Sequence, residues 1–537
     1  MMRVLASFIF FVFVYNQTSG QVDFKKSNLP IIIINTNGNE IYDYVKTSAD
    51  LKIIYNGPGI ENDINDVPKE YNGKIGIEYR GSSSLGFPKF PYGFETRDET
   101  GEDNSVSLLG MPKESDWTLN ASYNDKSLMR DGLAYILAGD IMDYAPRVRY
   151  SEVVVNDEYQ GIYLLVEKIK RDKNRVDIAK LEPTDNDGDA LTGGYIIKLD
   201  KETGSNSGQG WISPFKPYTN AWQNTFFQFD YPKASLITQA QKDYIINFMN
   251  KAETSLKSSN YKDPINGYRK YMDVESLIDF IIINELTKNP DAYRLSTFMH
   301  KNRDSEGGKL KFGPVWDFNL GFGNVDYCTQ GNPEGLVILN FNDVCSDDYW
   351  VIHFWWKRFL EDEAFYSQLK MRWKTLRQKE FSENRVNHLI DSISVLLNKA
   401  QVRNFQKWPV LGQYVWPNYY IGNTYSEEVN HLKSWIDSRF AYLDKVWEIK
   451  TEVEDTTNYT QLLPNPTADL LTISFAKKVP KDLTISLYDT NGSSFVVPII
   501  DLDENQINLD LSNLPTGLFI LRMSYPESSS YYKIVKI

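Results

Sequence analysis

The apolar residues change period near Ser235, and this restricts the chain to a mixed fold, strand-rich first and helical afterwards. Pro30-Ile31-Ile32-Ile33-Ile34 is a short apolar run suited to a buried strand, and Lys52-Ile53-Ile54-Tyr55 resumes one after a polar turn. Lys74 to Arg80 alternates with period two, and Tyr92 to Thr96 is a further strand. Glu152 to Val166 reads as strand, polar turn, strand, and Gly194 to Asp200 as another strand. One helix interrupts this part, Ser127 to Gly139, with Leu128, Leu133, Ile136 and Leu137 near period 3.6. Beyond Ser235, Gln239–Leu256 and Asp273–Lys288 are helical. A strand pair follows, Leu295–His300 and Lys309–Trp316, and the stretch from Cys345 to Trp447 is mostly helical and Trp-rich. The expected fold is α+β, in two lobes.

With 537 residues the chain has room for two to four domains, and 42 % hydrophobic content supplies a large core. The expected boundaries are an export signal over 1–20, a large domain over 21–450, a linker over 451–458 and a small β-module over 459–537. The signal rests on Arg3, the apolar run Leu5 to Tyr15 and the small residues Thr18-Ser19-Gly20. No later segment has 18 consecutive apolar residues, so no membrane-spanning segment is expected after it. The net charge of −13 disfavours nucleic acid. The four histidines, at 300, 353, 388 and 431, lack metal-ligand spacing. Cys328 and Cys345 form a pair that an exported protein is free to bridge.

Three groups of residues carry possible chemistry. Asp291 follows a helix in the turn Asn289-Pro290-Asp291, and Asp317 ends a strand in Pro314-Val315-Trp316-Asp317-Phe318-Asn319. The strand pair between them folds back, which brings the two carboxylates together. Such a pair suits phosphoryl transfer, with one carboxylate orienting the nucleophile and the other holding Mg²⁺. It also suits glycoside hydrolysis, and aspartates in turns are common on structural grounds alone. The second group is Arg80-Gly81-Ser82-Ser83 with Pro88-Lys89: small residues that let backbone N–H groups approach phosphate, flanked by two cations, or else an ordinary hairpin turn. The third is Asp116-Trp117 with Asp125-Lys126-Ser127 and Arg130, in which Asp125 could cap a helix, or else a solvated helix start.

Together with Tyr144-Ala145-Pro146, the run Val155 to Tyr163 and Glu167-Lys168, these groups resemble the CotH family of atypical kinases over roughly Pro30 to Trp447. The resemblance implies a divergent two-lobed kinase fold that moves phosphate from ATP to Ser or Thr of a secreted or surface protein, with Mg²⁺ or Mn²⁺. It implies Asp291 as catalytic base and Asp317 as metal ligand. Ser296 stands five residues after the base, where a standard kinase has a metal-binding Asn. Arg80, Gly81, Ser82, Ser83, Lys89 and Glu167 would contact the nucleotide, Lys89 at the phosphates and Glu167 near the base or paired to a lysine. An inactive surface module, an adhesin or carbohydrate binder, is the alternative; Trp350, Trp355, Trp356, Trp408, Trp416 and Trp435 would give it stacking faces. The tail resembles a type IX secretion sorting domain of type A, through Leu463-Pro464-Asn465-Pro466-Thr467, Leu487 to Gly492, Leu514 to Phe519 and Lys533 to Lys536. It implies engagement of that machinery and a secreted or surface-attached protein.

Overall fold

A computed structural model describes residues 22–201, 209–448, 460–475, 478–479, 481–489, 493–524 and 529–537. The export signal, the linker and the turn Thr490-Asn491-Gly492 lie outside the described residues. The chain divides into two compact units, 1–449 and 450–537.

Seven strands of the first unit belong together: β1 (Ile31–Asn35), β2 (Thr47–Ile54), β3 (Tyr71–Tyr79), β4 (Tyr92–Arg97), β5 (Asp116–Asn120), β6 (Val148–Val155) and β7 (Glu158–Glu167). They close into a barrel in the order β1-β2-β3-β4-β5-β7-β6. Closure comes from the parallel pairing of β1 with β6, Ile31 opposite Glu152, while all other neighbours are antiparallel. The period-two alternation fills the inside with Ile32, Leu51, Ile75, Ile77, Phe94, Trp117 and Leu165. Closing the sheet removes its edges. The β6–β7 hairpin turns at Asn156 and Asp157, both at positive φ (49° and 63°), as a two-residue turn matching strand twist requires.

A second sheet contains β8 (Tyr195–Leu199), β9 (Gly210–Ile212), β10 (Phe226–Tyr231), β11 (Thr297–Lys301) and β12 (Leu310–Phe312), in the order β9-β10-β8-β11-β12. The expected hairpin is the antiparallel pair β11–β12, with Met299 opposite Phe312. Helices α1 (Arg130–Gly139), α2 (Gln239–Lys257) and α3 (Val274–Thr287) contribute to one large core, which continues through α4 (Val337–Val344), α5 (Trp355–Leu360), α6 (Glu363–Arg377), α7 (Glu383–Lys407) and α8 (Tyr425–Val446). Helix α2 starts in a capping box of Thr238 and Gln241. Helix α3 starts at Asp273, whose side chain accepts from the Ser276 N–H, and stops at Lys288 in a left-handed conformation.

Most of the expected stacking tryptophans are packing residues. Trp355 and Trp356 are fully buried, Trp408 and Trp435 are buried and Trp350 is half-buried, which leaves only Trp416 of that set exposed. Cys328 and Cys345 are bridged, with Cα atoms 5.5 Å apart.

The second unit is two four-stranded antiparallel sheets around a shared core of Leu471, Ile473, Leu487, Leu509, Phe519, Leu521 and Ile534. Its longest pairing joins Gly517–Ser524 to Ser529–Lys536. Among the described residues no helix is long and apolar enough to cross a membrane.

Candidate active site

Helix α3 delivers Asp291 and the end of the β11–β12 hairpin delivers Asp317, and Asn289 ties the two loops together. Its side-chain amide donates to the Asp317 carbonyl (3.0 Å), and its side-chain oxygen accepts the Asp291 N–H (3.1 Å). Asp317 sits at φ +64°, a left-handed conformation unusual for a residue with a Cβ. Helix α1 holds it there with two residues one turn apart. Tyr135 Oη accepts the Asp317 N–H (3.1 Å), and the Asp131 carboxylate accepts the Phe318 N–H (2.7 Å). On the other side, Arg294 donates to Asp291 Oδ1 at 2.7 Å.

Arg80, at the end of β3, reaches the same place. Its guanidinium lies 5.2 Å from the centre of the Trp316 ring. Burial lowers its pKa, and the charges of Asp317 and Asp131 oppose that. Asp200, just past β8, is the fourth carboxylate of the group and is paired with Lys198 at 3.4 Å.

Burial pushes the Asp317 carboxyl up to about 7, and the negative charges of Asp131, Asp291 and Asp200 push the same way, opposed by Arg80. Burial also raises Asp131, to about 6, against the hydrogen bond from the Phe318 N–H. No hydrogen-bond donor reaches the Asp317 carboxylate among the described residues. No group of three or more His, Cys, Asp or Glu able to hold a metal by itself occurs among them. Mg²⁺ needs no such cage, since it takes one or two carboxylates and completes its shell with phosphate oxygens and water. A half-buried carboxylate without donors, raised by like charges, has the chemistry to accept a hard cation.

The expected site residues separate into two groups. Asp291, Asp317 and Arg80 are brought together. Gly81, Ser82 and Ser83 follow Arg80 directly in an exposed turn, where Gly81 has φ +113° and a Cβ would meet Ser84 Oγ at 2.0 Å. Ser296 lies next to the β8–β11 pairing, whose last pair is Leu199 and Thr297, and so neighbours Asp200. Its hydroxyl has no hydrogen-bond partner among the described residues.

Lys89 is placed differently from the expectation. It is 1 % exposed, and its ammonium donates to the Ile162 carbonyl (2.6 Å) and to Asn404 Oδ1 (3.0 Å). It ties the turn to β7 and α7, with its ammonium enclosed among those acceptors. Glu167 is also structural. It is fully buried, accepts from the Arg147 N–H (3.0 Å) and guanidinium (3.1 Å), and has Arg175 at 3.7 Å, so its pairing is with arginines and not with a lysine. Helix α1 starts at Arg130 and not at Lys126, with Met129 in the cap position; Asp125 accepts the Arg130 N–H at 2.8 Å from before the helix, and Lys126 and Arg130 are buried and not solvated.

Sequence reasoning missed Asp131, Tyr135, Asn289 and Arg294 as site residues. The i,i+4 spacing of Asp131 and Tyr135 and the i,i+3 spacing of Asp291 and Arg294 were the available signals.

Comparison with known proteins agrees with this organisation. A family model described as CotH kinase protein matches residues 77–443, and one described as secretion system C-terminal sorting domain matches residues 461–537. No curated protein matches the chain. The sorting domain is of the type IX kind; it indicates a secreted or cell-surface protein and implies interaction with that secretion machinery.

Proposed function

Because the chain belongs to the CotH kinase protein family, we propose that its large unit is a two-lobed, kinase-like phosphotransferase acting on secreted or surface proteins. The phosphate donor is ATP and the acceptor is a Ser or Thr hydroxyl. The barrel forms one lobe and the helical part the other. Asp291 takes the proton of the acceptor hydroxyl as the new O–P bond forms at the γ-phosphorus. The bond from that phosphorus to the bridging oxygen breaks, and ADP leaves with the electron pair. Asp317, with Ser296 as a weaker donor, would hold Mg²⁺ or Mn²⁺, which would supply positive charge at the phosphate oxygens. Arg80, and not the buried Lys89, takes the phosphate-facing role. The turn at Gly81, Ser82 and Ser83 offers backbone N–H groups to the same oxygens.

One observation carries this reading: two loops 26 residues apart in sequence, tied by Asn289, bring Asp291, Asp317 and Arg80 into one electrostatic group. The test is transfer from labelled ATP by the full chain with Mg²⁺ or Mn²⁺. Label should appear on protein, and Asp317→Ala or Asp291→Ala should reduce it about a hundredfold or more. Neither nucleotide binding nor transfer with either metal would leave the surface-binding alternative.

A further inference from the structure

We infer that Arg294 is the positioning residue for Asp291, and that the Cys328–Cys345 disulfide holds Arg294 in place, so that transfer is fastest with the bridge oxidised. The inference rests on the phosphoryl-transfer reading given above.

Arg294 is 7 % exposed and uses all three nitrogens of its guanidinium. Its Nη2 meets Asp291 Oδ1 at 2.7 Å, and its Nε meets the Pro290 carbonyl at 2.8 Å. Its Nη1 meets Asp348 Oδ2 at 3.3 Å and the Trp350 carbonyl at 3.0 Å. The guanidinium lies 4.2 Å from the centre of the Phe341 ring, on α4. One edge of the guanidinium therefore fixes the carboxylate, Nε is held by the turn itself through Pro290, and Nη1 and the ring face are fixed by α4 and the segment that follows it.

That segment is short, and it begins at Cys345. The bridge joins it to Cys328, in the loop that leaves Asp317, across 17 residues of sequence. One covalent bond thus links the loop carrying the metal-side aspartate to the segment that anchors the base-side arginine. Gln223 adds two weaker ties, to the Ser346 carbonyl (3.1 Å) and the Asp348 carbonyl (2.9 Å). A dithiol such as dithiothreitol cuts the link: the S–S bond takes two electrons and two protons to give two thiols, and the reagent becomes a disulfide. The loop of Cys328 then regains conformational freedom, the segment of Asp348 and Trp350 keeps its non-covalent ties to Gln223 and, through Ile352, to Asn342 (2.8 Å each way), and Arg294 loses the covalent part of its anchor. Misplacing a catalytic group by about 1 Å is enough to slow a reaction strongly.

The test is a two-by-two comparison in the full chain, wild type and Arg294→Met, each oxidised and reduced. Reduction of the wild type should lower kcat about tenfold and leave the KM for ATP within about twofold. Arg294→Met should already be slow, and reduction should slow it no further, because the two changes act through one contact. Arg294→Lys should recover part of the lost kcat. A reduction effect of equal size in wild type and Arg294→Met, or none in the wild type, overturns the inference. Hydrogen exchange provides a readout independent of transfer. Amides of residues 289–296 should exchange faster on reduction of the wild type and show no further change in Arg294→Met. If the exchange pattern holds but no label is transferred in any state, the phosphoryl-transfer reading has failed and the mechanical coupling has not. If residues 289–296 exchange at the same rate in both redox states, the coupling itself is wrong.

Discussion

Glu285 and Asp317 are both carboxylates in the interior of the large unit, and the chain treats them in opposite ways. Glu285 is fully buried on α3 and completely supplied with donors: the N–H groups of Val337 (3.0 Å) and Ile338 (2.9 Å), the Tyr293 hydroxyl (3.1 Å) and the Arg439 guanidinium (3.1 Å). Glu253 is treated in the same way by Ser213, His353 and Trp355. Asp317 has its backbone held on both sides and its carboxylate left without a donor, facing three other acids and one arginine. A satisfied carboxylate stabilises a fold and has no lone pairs left for a ligand. An unsatisfied one costs stability and keeps its oxygens available.

The comparison can be tested from both sides. The largest effect is expected at the satisfied site. Arg439→Met strands a buried Glu285 charge and should lower unfolding free energy by about 3–5 kcal/mol in a denaturant titration. A loss below 1 kcal/mol would mean that the surrounding N–H groups alone suffice.

At the unsatisfied site the sign should reverse. The folded carboxyl of Asp317 is raised to about 7, above the value it has in an unfolded chain, so the native state holds the extra proton between roughly pH 4 and 7. Wild-type stability therefore falls as pH rises through that window. Asp317→Asn removes the fall. In chelator it should match the wild type near pH 4 and exceed it by about 1–2 kcal/mol at pH 8. If Asp317→Asn is less stable than wild type at pH 8, the carboxylate is structural after all.

The smallest effect concerns a buried cation. Burial lowers Lys89 to about 7. The unfolded chain then binds the extra proton between about pH 7 and 10.5, and this contribution makes stability rise with pH across that range. Lys89→Met should flatten the rise by only a few tenths of a kcal/mol per pH unit (roughly 0.3), because the Ile162 and Asn404 acceptors favour the charged form against burial. An unchanged slope in thermal unfolding curves would show that Ile162 and Asn404 keep the ammonium charged throughout.

Much of the architecture was legible before any coordinates. The alternation in Lys74–Arg80 became β3, and the 3.6 period in Asp273–Lys288 became α3 with Asp273 and Lys288 as its two caps. The fold-back of the strand pair correctly brought Asp291 and Asp317 near each other. Lys89 was misjudged because residue type and nearness to a glycine turn do not say where a long side chain goes. Its acceptors, Ile162 and Asn404, lie 73 and 315 residues away. Asp131 and Tyr135 were missed for the same reason: their role depends on how α1 docks against the loop of Asp317.

The amino-acid sequence alone marked most of the strands and the long helices, because backbone geometry imposes those periods locally, but not the strands Asp116–Asn120, Gly210–Ile212 and Phe226–Tyr231. It also determined the export tail, through motifs whose order and position are linear features of the chain. Only the tertiary structure decided which carboxylates are supplied with donors and which are left open, and which cations face them. Solvation and charge at a side chain are set by atoms brought from hundreds of residues away, and no local pattern records that proximity.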